Sequence, residues 1–228
     1  MKKSVSDKGV AIMKKKTYAV FGLGRYGMAA AKELVRNGMD VIAVDRSEQI
    51  IRDAAGELPV CKCADVTDPK AIEQLGISNA DVVIVAMAGS LESSIMAVTL
   101  CKEAGVKTVI AKCSDEMHRK ILGRVGADIV IFPEKESGIR LAQNLSVAGI
   151  IEILALSDEL SVVEMNVKDE WVGKSLAELN LRKKLLINIV AFRKNGKITA
   201  PVSPELKLEH GMMLVAIANT EKLSKLNR

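Results

Sequence analysis

The chain has 228 residues, 49% hydrophobic and 27% charged, which suits one or two globular domains with a good core. No apolar run nears the roughly 18 residues of a membrane span, so any membrane role is expected to come through a partner and not by direct membrane insertion. The formal charge of +5 sits entirely in residues 1–16, "MKKSVSDKGVAIMKKK", and the remainder balances, which removes the electrostatic footprint of a nucleic-acid-binding domain.

That basic segment lacks the apolar stretch of a signal peptide and reads as a disordered tail, with Met13 as a second candidate start. Six strand candidates follow: "TYAVFGL", "DVIAVD", "PVCKCA", "ADVVIVAM", "KTVIAK" and "DIVIF". Each is a short Val/Ile-rich run followed by a helical stretch. Near-continuous apolar strands separated by helices predict a parallel sheet covered on both faces. The expected fold class is α/β: a Rossmann-type, doubly wound, parallel six-stranded sheet over residues 17–134.

A helical connector is predicted over 135–156, within "EKESGIRLAQNLSVAGIIEIL". Residues 157–228 then read as a small C-terminal α+β domain. "LSVVEMNV" is a strand, "KSLAELNL" a short helix, and "INIVAFRKNGKITAP" a hairpin turning at Asn195-Gly196. "GMMLVAIA" and "TEKLSKL" add a strand and a terminal helix.

Cys61, Cys63, Cys101 and Cys113 form no C-x-x-C pair, and they read as reduced, packed cysteines. Alternation along a strand would put the Cys61 and Cys63 thiols on one face. His118 and His210 have no metal-ligand spacing and read as surface residues.

The informative stretch is "YAVFGLGRYGMAAAKEL". Gly22, Gly24 and Gly27 stand in G-x-G-x-x-G spacing between a strand and a helix. Gly22 permits the tight turn, Gly24 lets a phosphate approach the backbone, and Gly27 permits close helix–strand packing. The helix N-terminus supplies free N–H groups and partial positive charge. Asp45, ending the second strand, is placed to accept hydrogen bonds from ribose hydroxyls and to repel a 2′-phosphate; its alternative is a solvated Asp capping the next helix. It does not separate NAD or NADH from ATP or ADP. Asp65 lies at the same sheet edge, either reaching the adenine or capping the helix near Pro69. Arg25 opposes the helix dipole unless an anion sits there, so it either faces a phosphate tail or turns into solvent. Lys112 either converges on the same phosphates or is surface decoration. Tyr26, Arg46, Val66, Ala86 and Met87, on the same loops, complete the candidate set. Glu134 either favours a helix start or helps hold a divalent cation, Mg²⁺ or Ca²⁺. No catalytic residue is assigned, since no Y-x-x-x-K pair or nucleophile elbow stands out. The alternative reading is an NAD-dependent Rossmann oxidoreductase or a redox sensor.

From the glycine loop through "ADVTD", "LGISNADVVIVAM" and "GADIVIFPEKESG" the sequence resembles the RCK/KTN family of cytoplasmic potassium-transport regulators, of the KtrA and TrkA type. The resemblance implies a Rossmann nucleotide-binding domain, a crossover helix pair and a C-terminal RCK module (RCK_C). It also implies a non-enzymatic, cytoplasmic gating subunit, assembled as a homodimer into a higher ring such as an octamer. The ring would sit on a membrane-embedded potassium-translocating subunit of the TrkH or KtrB type. On this resemblance Arg25 faces the nucleotide phosphates, ATP or ADP, and Glu134 the divalent cation. Arg182, Asn188 and Pro201 fall on positions that line a cyclic di-AMP site in some members. "KKLLINI" carries Leu186 where a glycine is common before that strand.

Overall fold

The computed structural model describes residues 15–146, 150–157 and 159–219. Most of the basic tail and the expected terminal helix lie outside the described residues. The chain divides into two compact units, one ending at Pro133 and one beginning at Glu134.

In the first unit, β1 (Thr17–Phe21), β2 (Asp40–Asp45), β3 (Cys61–Cys63), β4 (Val82–Val85), β5 (Thr108–Lys112) and β6 (Ile129–Ile131) form one sheet in the order β3-β2-β1-β4-β5-β6. All its pairings are parallel. The order reverses at β1, the doubly wound arrangement that the strand–helix alternation predicts. Successive residues of β1 serve opposite faces. Val20 packs with Ala31, Val41 and Ala54 under α1 (Arg25–Arg36) and α2 (Glu48–Ala54). Ala19 and Phe21 pack with Val83, Val98 and Leu122, under α4 (Leu91–Glu103) and α5 (Glu116–Arg124), with α3 (Pro69–Gln74) adding Ile72. That two-sided burial explains the lack of apolar–polar alternation in these strands.

Caps fix where the helices begin. Ser47, Asp68, Ser90 and Asp115 each accept a backbone N–H in the first turn of α2, α3, α4 and α5. The helix at Pro69 is therefore capped by Asp68 and not by Asp65.

The next helix, α6 (Pro133–Ser146), starts at the last residue of the first unit, with Glu134 and Glu136 in its first turn. The predicted helical connector does not continue: β7 (Ile150–Ala155) is a strand, antiparallel to β8 (Leu160–Asn166). Its run of Ile150, Ile151, Ile153 and Leu154 favours a pleated ribbon with a partner, and this overrides the helical reading. β9 (Ile187–Lys194), β10 (Lys197–Thr199) and β11 (Met213–Asn219) complete a sheet ordered β10-β9-β11-β8-β7. β8 and β11 bury every second residue, with Val163, Met165, Leu214 and Ala216 turned into a core around Trp171 and Leu208. The β9–β10 turn has positive φ at both Asn195 (50°) and Gly196 (77°), the backbone that a two-residue hairpin needs. "KSLAELNL" splits into α7 (Leu176–Leu179) and α8 (Leu181–Lys184) at Asn180, whose φ of 50° ends the first turn of helix.

Among the described residues no helix is long and apolar enough to cross a membrane.

Candidate functional site

β1 delivers the chain to Gly22, whose φ of 85° is a left-handed turn that other residues adopt at a cost. A Cβ added at Gly27 would stand 1.9 Å from the Gly22 carbonyl oxygen, so α1 rests directly on that turn. At Gly24 an added Cβ would meet nothing within 4 Å and would project into open space. Gly24 is also the N-cap of α1 and offers no side-chain acceptor, and no acid stands in the first turn. Unlike α2 to α5, α1 thus begins without a side-chain cap from its N-cap residue. Arg25 is exposed at its first position, and among the described residues no side chain pairs with its guanidinium.

Asp45 braces this loop from β2. Its Oδ2 accepts the Leu23 N–H at 2.7 Å and its Oδ1 accepts the Ser47 N–H at 2.9 Å. The cap of α2 is Ser47, so Asp45 does not serve that helix as its cap. Each carboxylate oxygen retains a lone pair for a further donor.

A cleft of about 310 Å³ opens at the carboxyl ends of the strands. Gly22 forms one wall, Val44, Asp45 and Arg46 the next, Ala64 to Thr67 the third, and Met87, Gly89, Ser90 and Ser93 the fourth. Of the predicted residues, Gly22, Asp45, Arg46, Asp65, Val66 and Met87 line it. Asp65 Oδ1 accepts the Thr67 hydroxyl at 2.7 Å and the Thr67 N–H at 2.9 Å, and these bonds hold its carboxyl below the usual carboxylate range.

The other residues predicted for the nucleotide and metal sites do not line it. Gly24, Arg25 and Tyr26 are exposed at the top of α1, and Gly27 is buried beneath. Ala86 lies under Gly27, its Cβ 3.2 Å from where a Gly27 Cβ would be. The Lys112 ammonium sits 5.9 Å from the centre of the Tyr26 ring, a cation–π distance. Glu134 is in the first turn of α6, at the start of the second unit. Sequence reasoning missed Thr67, Gly89, Ser90 and Ser93. The signal was there in "GSLESS", a small-residue loop following the strand next to β1, where doubly wound sheets bind ligands.

A second cleft, also about 310 Å³, lies within the second unit between α7, α8, β9 and the segment after β10. Arg182 and Asn188 line it together with Asn180, while Val202 and Pro204 do so in place of Pro201. Leu186, just before β9, has a φ of 58°, a left-handed backbone held by a residue that is not glycine.

His118 departs from its surface reading. It is 2% exposed, and its Nδ1 accepts the Ser114 N–H at 3.3 Å while its Nε2 is buried with no hydrogen-bond partner among the described residues. Burial lowers its pKa below the ordinary value, and Asp115 opposes that shift only in part. His210 is exposed, with Nδ1 3.5 Å from the Asp169 carboxylate. All four cysteines are free; Cys101 and Cys113 are buried, and burial pushes the Cys101 thiol up to about 12. Cys63 is exposed instead of packed, its sulfur 3.5 Å from the Arg46 carbonyl. Among the described residues no three His, Cys, Asp or Glu side chains gather as a metal cluster.

The TrkA-N domain model matches residues 18–133 and the TrkA-C domain model residues 160–228. The chain belongs to the TrkA-N/TrkA-C family of potassium uptake proteins. It is 33% identical to Ktr system potassium uptake protein C of Bacillus subtilis (strain 168), over 94% of this chain and 97% of that protein. It is 32% identical to Ktr system potassium uptake protein A of Vibrio alginolyticus, over 92% of this chain and 95% of that one. Among solved structures, the GsuK channel bound to NAD superposes with a TM-score of 0.66 at 16% identity, covering 95% of this chain. The chain spans 40% of the length of that channel. The glycine loop, Asp45 and the first cleft all belong to the TrkA-N domain, and the second cleft to TrkA-C.

Proposed function

We propose that the protein is a non-enzymatic, nucleotide-sensing regulatory subunit of a potassium uptake system. The observation that carries this reading is the α1 N-terminus, without a side-chain cap, beside an Arg25 that no described side chain pairs, and next to an Asp45-braced loop. Such a terminus attracts anions, and Arg25 extends the attraction to a phosphate tail of two or more charges. The relatives are named as Ktr potassium uptake proteins, which supports a membrane-embedded potassium-translocating partner and a cytoplasmic place beside it. The expected form is a homodimer building a ring, with an octamer as the working stoichiometry. A nucleotide does work on the pore only through its different affinities for two ring shapes.

ATP and ADP are the leading ligands. NAD is the second reading, because Asp45 suits any adenosine ribose and the GsuK channel is described with NAD bound. In TrkA-C, Arg182 and Asn188 beside the second cleft support a cyclic di-AMP site in that domain. Glu134 is the proposed carboxylate for Mg²⁺ or Ca²⁺ accompanying ATP, hard cations that take oxygen ligands.

Titration calorimetry with ATP, AMP and NAD tests the reading. Arg25→Ala is expected to weaken ATP by roughly tenfold or more, the scale of a lost charged hydrogen bond, and AMP by much less. Equal losses for both would remove Arg25 from the phosphate tail. Glu134→Gln is expected to keep the apo melting temperature but abolish the extra stabilisation that Mg²⁺ gives the ATP complex. Survival of that Mg²⁺ effect would remove Glu134 from the metal site.

A further inference from the structure

Ser94 is fully buried in the first turns of α4, and the nucleotide reading gives it no role. Its hydroxyl oxygen lies within hydrogen-bond distance of two carbonyls, that of Met87 and, at 2.8 Å, that of Ser90. A hydroxyl has one proton to donate. The Ser90 carbonyl already accepts the Ser94 backbone N–H at 3.0 Å, as the helix requires. The Met87 carbonyl is the nearer of the two and takes the proton. A serine bonded back into its own helix brings that helix no stability, and a buried hydroxyl is costly unless it is bonded. What Ser94 secures is the loop between β4 and α4.

That loop bears on the glycine turn. Met87 Cγ would stand only 2.6 Å from a Cβ added at Gly22, so the Met87 side chain lies against the bare Gly22 backbone. At the root of the same loop, the Ala86 N–H donates to the Phe21 carbonyl at 2.8 Å. Met87, Gly89 and Ser90 form the fourth wall of the cleft. A chain of contacts thus runs from the Ser94 hydroxyl to the Met87 carbonyl, through the Met87 side chain, to the turn that presents the N–H groups of α1.

We infer that Ser94 is a positioning residue for the nucleotide cleft: it holds Met87 against Gly22 and so sets how well the glycine loop receives phosphate. The inference rests on the nucleotide reading of that cleft. It requires the effect of Ser94 to travel through Met87 and to concern phosphates more than the nucleoside.

The test is calorimetry on the full chain with ADP and adenosine, using wild type, Ser94→Ala, Met87→Ala and the double variant, well below their melting temperatures. Ser94→Ala is expected to raise the ADP Kd by about three- to tenfold, the range of one hydrogen bond, and to leave the adenosine Kd unchanged. Met87→Ala should lose a similar factor, and the double variant should be no worse than Met87→Ala alone. Equal losses for ADP and adenosine, multiplicative losses in the double variant, or an unchanged ADP Kd in Ser94→Ala would each overturn the inference while leaving the nucleotide site standing. A wild-type protein that binds no adenine nucleotide would instead overturn the site reading, and the inference with it.

Discussion

The two clefts have the same volume, about 310 Å³, but are built from different materials. In the TrkA-N unit the cleft is walled by the Gly22 turn, and that turn leads into a backbone feature outside the lining: the open Gly24 and the start of α1, braced by one carboxylate through Leu23. In the TrkA-C unit the decisive atoms are side chains, Arg182, Asn180 and Asn188, set around two short helical turns and an antiparallel strand. A backbone site constrains which residues can be absent, and a side-chain site constrains which are present. The first should therefore fail when a methyl group is added, and the second when a functional group is removed.

The sharpest break in that comparison lies inside the glycine loop. Gly27→Ala would drive a Cβ to 1.9 Å from the Gly22 oxygen, a backbone atom that has no rotamer to move. α1 would have to lift off the sheet, at a cost of at least about 3 kcal/mol, the upper range for overpacking. Scanning calorimetry should show the TrkA-N transition fall steeply and the TrkA-C transition stay in place. Gly24→Ala, three residues earlier, has nothing within 4 Å and should barely move that transition. Its Cβ would occupy the space above the uncapped N–H groups, so ADP affinity should drop by roughly tenfold or more, as a lost charged hydrogen bond implies. If Gly24→Ala bound ADP normally, phosphate would not sit on that loop.

The same contrast accounts for what the sequence disclosed. The six parallel strands and the first cleft's Gly22, Asp45 and Asp65 were readable because glycine spacing and β-branched runs encode backbone geometry locally. Ser90, Ser93 and Thr67 were not, because nothing local says which small polar residues of a loop a distant turn will face. β7 was misread because "GIIEIL" is apolar enough for either state, and only its pairing with β8 decides. His118 was misread because its neighbours Glu116, Arg119 and Lys120 are charged, while the helix turns it, together with Leu122, toward the core. In the second cleft Arg182 and Asn188 became legible only through family resemblance.

His118 gives the next effect in size, confined to TrkA-N. Burial lowers its folded pKa below the unfolded value of about 6.5, so on acidification the unfolded chain takes up the proton first. Stability is therefore full above the unfolded pKa and falls as pH drops toward the lower folded value, below which the loss levels off. Protonating Nδ1 would also set it against the Ser114 N–H it now accepts, donor facing donor. Between about pH 7.5 and about pH 5.5, the range in which an ordinary imidazole titrates, the TrkA-N transition should fall more in wild type than in His118→Gln. The TrkA-C transition should show no such difference. Equal pH slopes in the two proteins would mean that the imidazole protonates as freely in the folded state as outside it.

The smallest effect concerns Leu186, where the side-chain-built cleft carries a backbone demand of its own. Its φ of 58° belongs to the left-handed region, which costs a residue with a Cβ about 1–2 kcal/mol. At 51% exposure the Leu186 side chain recovers little of that by burial. Leu186→Gly would relieve the strain but give the unfolded chain more freedom, worth about 0.5–1 kcal/mol against folding. The net expectation is a gain of about 0.5 kcal/mol, seen as a slight rise in the TrkA-C transition with the TrkA-N transition and ADP affinity unmoved. That result would show that this turn still demands the conformation of the glycine expected there from the resemblance. A fall in the TrkA-C transition would show that the exposed half of the comparison is wrong: Leu186 would then hold its turn through contacts that outweigh the strain, and the second cleft would rest on side chains throughout.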